Sequence, residues 1–216
     1  MIAQRLHQLH EEIPQGVTLV AVSKYHPVED VREAYEAGQR VFGESHATEM
    51  VAKAQALPAD IEWHFIGHLQ TNKVRLILPY VGLIQSVDSL HLLDEIEHRA
   101  SLLGRTVPCL LQVHVAQEET KFGFLPDELL SLFHDDTLST FPHVLVRGLM
   151  CMASNTDDEE RVRQDFATAH DLFVHLFPHA EADHAILSMG MSGDWPLAVA
   201  QGSNMVRIGT TLFGSR

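Results

Sequence analysis

Apolar positions along the chain change their period again and again, and that alternation is its first legible feature. Ile2, Leu6, Leu9 and Ile13 recur at steps of four, three and four, the stripe of an amphipathic helix. The next apolar run, "VTLVAVS" from residue 17, is short and continuous, as a strand buried on both faces reads. Helical spacing then returns. Val28, Val31, Ala34 and Tyr35 share a face, with Pro27 suited to a first helical turn and Gly38 to a helix stop. "RVFGE" is strand-like again.

The same exchange repeats to the end of the chain. A helix is predicted over about 45–57, a strand at "EWHFIG", a helix over about 70–79 and a strand at "GLIQSV". Over 89–103, Leu90, Leu93, Ile96, Ala100 and Leu103 keep helical register, with Gly104 beyond them. Strand "PCLLQVHV", a helix near 126–133 and strand "VLVRGLM" follow. The longest helix is expected to open at a capping box of Thr156 with Glu159 and to keep Val162, Phe166, Ala169, Phe173 and Leu176 on one side. Strand "AILSM", a helix near 194–201 and strand "MVRIG" complete the series.

Eight strand–helix units joined by short connections predict an α/β fold, a single (β/α)8 TIM barrel with an extra N-terminal helix. The helix takes residues 1–14 and the barrel 17–214, so 1–216 reads as one domain. An open doubly wound sheet is the alternative. No internal repeat beyond the alternation, and no low-complexity segment, is visible.

Composition narrows the function classes. The chain has 216 residues, 45% of them hydrophobic, and a formal charge of −14. That charge opposes nucleic-acid binding, which draws its affinity from neutralising phosphates. An anionic ligand therefore needs a local pocket. No apolar run approaches the roughly 18 residues of a membrane span, and "MIAQRLHQLHEEI" lacks the pattern of an export signal, so no membrane association and a cytoplasmic location are expected. Cys109 and Cys151 sit in separate apolar strands and read as reduced, buried thiols. The 15 histidines are scattered without HExxH spacing, and even His64 and His68 read as ordinary polar residues, so no metal site is expected.

The candidate chemistry begins with Lys24, a charged amine at the end of the first core strand. A lysine there implies a partner anion, an exposed strand end, or chemistry that needs a neutral amine. In a closed barrel the C-terminal strand ends line one mouth, and the first and last strands are neighbours. Arg207 lies on the last strand, with Gly209 and Thr210 in the turn after it, while "LSMGMSGD" and "GTTLFG" supply Gly, Ser and Thr to the loops that bind phosphate in such barrels. A lysine, an arginine and a phosphate cradle suit an aldehyde that carries a phosphate, taken as a Schiff base. A solvated lysine cap and a simple barrel closure remain equally open on these grounds.

The strings "VAVSK", "FGES", "WHFIGHLQTNK", "VRGLM", "LSMGMS" and "MVRIGTTLFG" occur in that order. With them the chain resembles, over about 18–214, the pyridoxal phosphate homeostasis protein family, whose fold is similar to the N-terminal barrel of alanine racemase. The resemblance implies that Lys24 forms a Schiff base with pyridoxal 5'-phosphate. It also implies that Ser188, Gly209 and Thr210 hold the phosphate and that Arg207 faces the pyridine nitrogen. A guanidinium there favours the unprotonated ring and makes the cofactor a weak electron sink. Racemases of this fold also use an acid/base group from a second domain, and a chain ending two residues after "LFG" is expected to lack one.

The function implied is intracellular homeostasis of pyridoxal phosphate, a form of vitamin B6, without efficient turnover, with apo pyridoxal-phosphate enzymes as candidate recipients; a barrel that hides its core without a partner is expected to be a monomer. A low-activity pyridoxal-dependent amino-acid racemase is the alternative, and an aldolase-like barrel acting on a sugar phosphate is a third reading. The chain departs from the family pattern at Ser45, His46, His68 and His114; Ser45 in particular has fewer donors than the usual asparagine. Lys121 reads as a loop cation with a secondary role hinted by the resemblance. Trp63 and His64 read as packing residues, Trp195 as a staple or a shield of the site, and "TDDEE" as an acidic helix start.

Overall fold

The computed structural model describes residues 1–117, 122–182 and 184–214; Lys121 lies outside them. The chain opens with α1 (Ile2–Glu12), β1 (Thr18–Val22), α2 (Val28–Glu36), β2 (Val41–Glu44) and α3 (Ala47–Ala56). β3 (Glu62–Phe65), α4 (Thr71–Ile77), β4 (Val81–Val87), α5 (Leu90–Leu102) and β5 (Val107–Gln112) follow. The second half contains α6 (Pro126–His134), a 3-10 turn (Thr137–Thr140), β6 (Val144–Met150), α7 (Glu159–Leu176), β7 (Ile186–Met191), α8 (Trp195–Ala200), β8 (Met205–Ile208) and α9 (Thr210–Phe213).

All eight strands pair in parallel and in sequence order, and β8 closes on β1. Thr18 pairs with Met205, Val20 with Arg207 and Ala21 with Ile208, so the two ends of the sequence meet along one seam. The expected closed barrel is what forms, not the open sheet. Ile2, Leu6, Leu9 and Ile13 are all buried, and α1 packs against α2 and α9 across that seam. Burying each such side chain is worth about 1.5–3 kcal/mol before chain entropy is charged against it.

One predicted helix start is corrected. α7 begins at Glu159 with Asp158 as its cap, whose Oδ1 accepts from the N–H groups of Glu160 and Arg161 at 3.1 and 3.3 Å. Thr156 instead accepts from the Asp158 N–H at 3.1 Å. An aspartate is as good a cap as a threonine, and the later one wins because its carboxylate also meets the positive end of the helix dipole.

Two layers fill the barrel interior. Val20, Leu83, Leu110, Met150 and Met205 form an apolar cluster inside the ring. Two residues further along their strands, hence on the same face one step nearer the C-terminal mouth, stand Gln85, Gln112 and Arg207, with Ser188 two beyond Ile186. All four are buried. The polar layer places the chemistry.

Candidate functional site

A cavity of about 330 Å³ opens at the C-terminal mouth, within the range that holds small ligands. Its wall comes from Val22 at the end of β1 with Lys24 and His26 beyond it, Ser45 and Ile66 after β2 and β3, Met152 after β6, Met191 at the end of β7 with Ser192 and Gly193 beyond it, and Arg207, Gly209 and Thr210 at the end of β8. Lys24, Arg207, Gly209 and Thr210 are thus brought together as expected. Among the described residues, a chain with a net charge of −14 lines this cavity with Lys, Arg and His and with no carboxylate.

Arg207 is held rigidly from behind. Its Nη1 donates to the Ser188 carbonyl at 2.9 Å and the Ser188 hydroxyl at 2.6 Å, and its Nη2 donates to the Cys151 carbonyl at 2.8 Å. Burial lowers its pKa from the usual arginine value, opposed by Cys151 and Asp194. The hydrogen bonds continue inward: the Ser188 hydroxyl donates to Gln85 Oε1 at 2.6 Å, and Gln85 Nε2 meets His64 Nδ1 at 2.8 Å. His64 Nε2 lies 3.0 Å from Glu62 Oε1. With the proton on His64 Nε2, every donor in this chain points from the guanidinium toward a carboxylate.

Ser188 stands one layer behind the cavity residues. It is fully buried, its hydroxyl is committed to Gln85 and Arg207, and it does not line the cavity. Ser192, four residues later and just past the end of β7, does. Its hydroxyl accepts from the Gly209 N–H at 3.2 Å, bridging the loops after β7 and β8. A side chain at Gly209 would press on the Val22 carbonyl oxygen at 3.2 Å, so glycine keeps this corner open.

The remaining residues separate cleanly. His64 is buried in the interior relay, away from the cavity lining, and Trp63 packs beside Phe42 with ring centroids 5.8 Å apart. Trp195 starts α8 and packs on the main core without lining the cavity. Ser45 lines the cavity, whereas His46 faces the Tyr25 hydroxyl at 3.2 Å and Glu49 at 3.5 Å. His68 stacks on Phe122 and bonds Asp88 at 2.9 Å. His114 pairs through its backbone with Phe124. Both cysteines are buried and neither is in a disulfide. Among the described residues no His, Cys, Asp and Glu group could hold a metal, and no helix is long and apolar enough to cross a membrane.

Sequence reasoning missed His26 and Ser192 in the wall, and Gln85 behind it. It also missed a cluster of buried Glu44 and Lys53 with half-buried Glu49 beside Lys24. Glu49 and Lys53 are four apart on a helix, a spacing visible in the sequence; the burial of Lys53 was not.

The family described as the alanine racemase N-terminal domain matches residues 1–216. A pyridoxal phosphate homeostasis protein of Pasteurella multocida is 37% identical over 231 residues, covering 100% of this chain and 97% of that one. One from Aquifex aeolicus is 40% identical, covering 100% and 95%. The structure of PipY from Synechococcus elongatus with PLP bound superposes with a TM-score of 0.87 at 40% identity, covering 99% of this chain and 100% of that one. An alanine racemase of Clostridium difficile, at 16% identity and a TM-score of 0.82, shares the fold, with this chain spanning 56% of its length.

Proposed function

The chain belongs to the pyridoxal phosphate homeostasis proteins, built on the alanine racemase N-terminal domain, and on that premise we propose that it binds pyridoxal 5'-phosphate reversibly and buffers or delivers it without efficient turnover. The observation that carries the reading is the cavity lining: an amine, a guanidinium, hydroxyls and backbone N–H groups, with no carboxylate among the described residues, in an acidic chain. That donor set fits a phosphate monoester bearing an aldehyde. The cofactor, when bound, supplies an aldehyde carbon with which an amine condenses, losing one water.

Lys24 is the amine in this reading. Ser192, Gly209 and Thr210 hold the phosphate, aided by the first N–H groups of α9, which have no acceptor within the helix. Ser188 acts one layer back, by fixing Arg207. Arg207 faces the ring nitrogen as a donor; a guanidinium keeps its proton, so the ring nitrogen stays an acceptor and carbanion chemistry is restrained. Among the described residues, none lining the cavity is a carboxylate that could serve as a second acid/base group. The alternative racemase reading lacks that support.

Reduced, buried thiols suit a cytoplasmic protein, and apo pyridoxal-phosphate enzymes are the recipients we propose, served by a monomer. Borohydride reduction of the loaded protein followed by peptide mapping tests the reading. A reduced pyridoxyl group on Lys24 is expected; its absence there, or its presence only on another lysine, would refute it.

A further inference from the structure

A charged cluster beside the Lys24 turn has no part in the grip just described. The Lys53 ammonium, carried on α3, donates to the Ser23 carbonyl at 2.6 Å, to Glu44 Oε1 at 2.7 Å and to Glu49 Oε1 at 2.8 Å. An ammonium has three N–H donors, and all three are used. Each of these two Oε1 atoms takes a second donor as well. Glu44 Oε1 accepts from the Ser23 hydroxyl at 2.6 Å, and Glu49 Oε1 accepts from the Tyr25 backbone N–H at 2.5 Å.

The side chains of Lys53 and Glu44 are 4% and 0% exposed. Drawing such charges out of water is expensive, and apolar residues of similar size would commonly hold a helix on a sheet at least as well. What apolar residues would not do is bond the backbone. The two backbone contacts fall on residues 23 and 25, one on each side of Lys24. Tyr25 has φ +66°, a left-handed conformation that a residue with a Cβ keeps only where its surroundings hold it. Its N–H is tied to Glu49, and its ring lies 4.9 Å from that of His46 between centroids.

We infer that Glu44, Glu49 and Lys53 are positioning residues for Lys24. They fix the carbonyl before it and the amide after it, and so hold the left-handed turn that sends the Lys24 amine into the cavity. The phosphate grip lies on other loops, after β7 and β8, and does not depend on the cluster. The inference rests on Lys24 being the amine that takes pyridoxal phosphate.

Glu49 gives the cleanest test, because its side chain is 22% exposed and its loss leaves Glu44 to neutralise Lys53. Two ligands are compared: pyridoxal 5'-phosphate, which needs the amine, and pyridoxine 5'-phosphate, which has an alcohol in place of the aldehyde. Glu49→Ala is expected to weaken the first about ten-fold, as preorganisation is lost, and to leave the second within about two-fold. Glu49→Gln, whose amide oxygen still accepts from the Tyr25 N–H, is expected to restore binding. Hydrogen exchange at the Tyr25 amide rises in Glu49→Ala and not in Glu49→Gln.

If Glu49→Ala binds both ligands as the wild type does, or weakens both alike, the cluster merely packs α3 and the inference is overturned. A wild-type protein that binds pyridoxine phosphate but is not labelled at Lys24 sinks the functional reading instead. In that case the exchange rate at Tyr25 still decides whether the cluster clamps the turn, with unchanged exchange in Glu49→Ala refuting it.

Discussion

Replacing Ser188 by alanine tests whether it supports the site from behind Arg207 or touches the ligand itself. The Ser188 hydroxyl is the one donor to Gln85 Oε1 among the described residues, and it accepts from the Arg207 guanidinium; both contacts are 2.6 Å and fully buried. Ser188→Ala leaves a buried acceptor unsatisfied, at about 1–3 kcal/mol, and removes a charge-assisted hydrogen bond worth about 1.5–3 kcal/mol. Arg207 keeps its bonds to the carbonyls of Ser188 and Cys151, which moderates the sum to about 3 kcal/mol. For a chain of this size that lowers Tm by roughly 6–12 °C.

Ser192→Ala should behave in the opposite way. Its hydroxyl sits at the cavity wall and receives one N–H, so its loss costs about 0.5–1 kcal/mol of stability. Its loss should nevertheless weaken a phosphate ester about ten-fold, through one charge-assisted hydrogen bond. Thermal unfolding without ligand and calorimetric titration with pyridoxine 5'-phosphate give the two numbers for each variant. A Ser188→Ala protein that melts within about 2 °C of the wild type, yet loses as much phosphate affinity as Ser192→Ala, would refute the assignment and restore Ser188 to the phosphate site.

Glu44 gives a pH signature. Burial raises its pKa above the ordinary carboxylate value, against the opposing pull of Lys53. The folded state then holds more protons than the unfolded state between about pH 4.3 and the raised value. Ionised Glu44 therefore costs stability at neutral pH, and that cost fades as pH falls through its folded pKa. Urea unfolding should show the wild type gaining on Glu44→Gln as pH drops from about 7 to 4.5; a constant gap would contradict this. Glu62 has the opposite sign, because its bond to His64 lowers its pKa, so its small, solvent-screened contribution is present above its unfolded pKa and is lost as pH falls through the folded one.

Gly148, at φ +147°, has the Ile186 carbonyl oxygen where a Cβ would stand, so Gly148→Ala should cost at least about 3 kcal/mol, read from the urea midpoint. Burial pushes the Cys109 thiol pKa far up, and Cys151 is equally hidden. Neither should react with a disulfide reagent until the protein unfolds, and rapid labelling of the native protein would count against this core.

The alternation of short apolar runs with helical stripes determined the barrel, because each element's period follows from local backbone geometry and from the faces it must bury. Lys24, Arg207, Gly209 and Thr210 were legible for a related reason: in a parallel barrel, the end of a strand is already an address at the mouth. Tertiary structure decided what stands behind them. Ser188 and Ser192 are four apart in one motif, yet Ser188 sits inside β7 and turns into the barrel, while Ser192 falls in the turn after β7 ends at Met191 and reaches the cavity wall. The partners of Arg207 and Ser188 lie 56 and 103 residues away, and Lys53 reaches back 30 residues to Ser23. No local pattern encodes such contacts, since they arise only when the ring closes and the desolvated polar groups must find one another inside it.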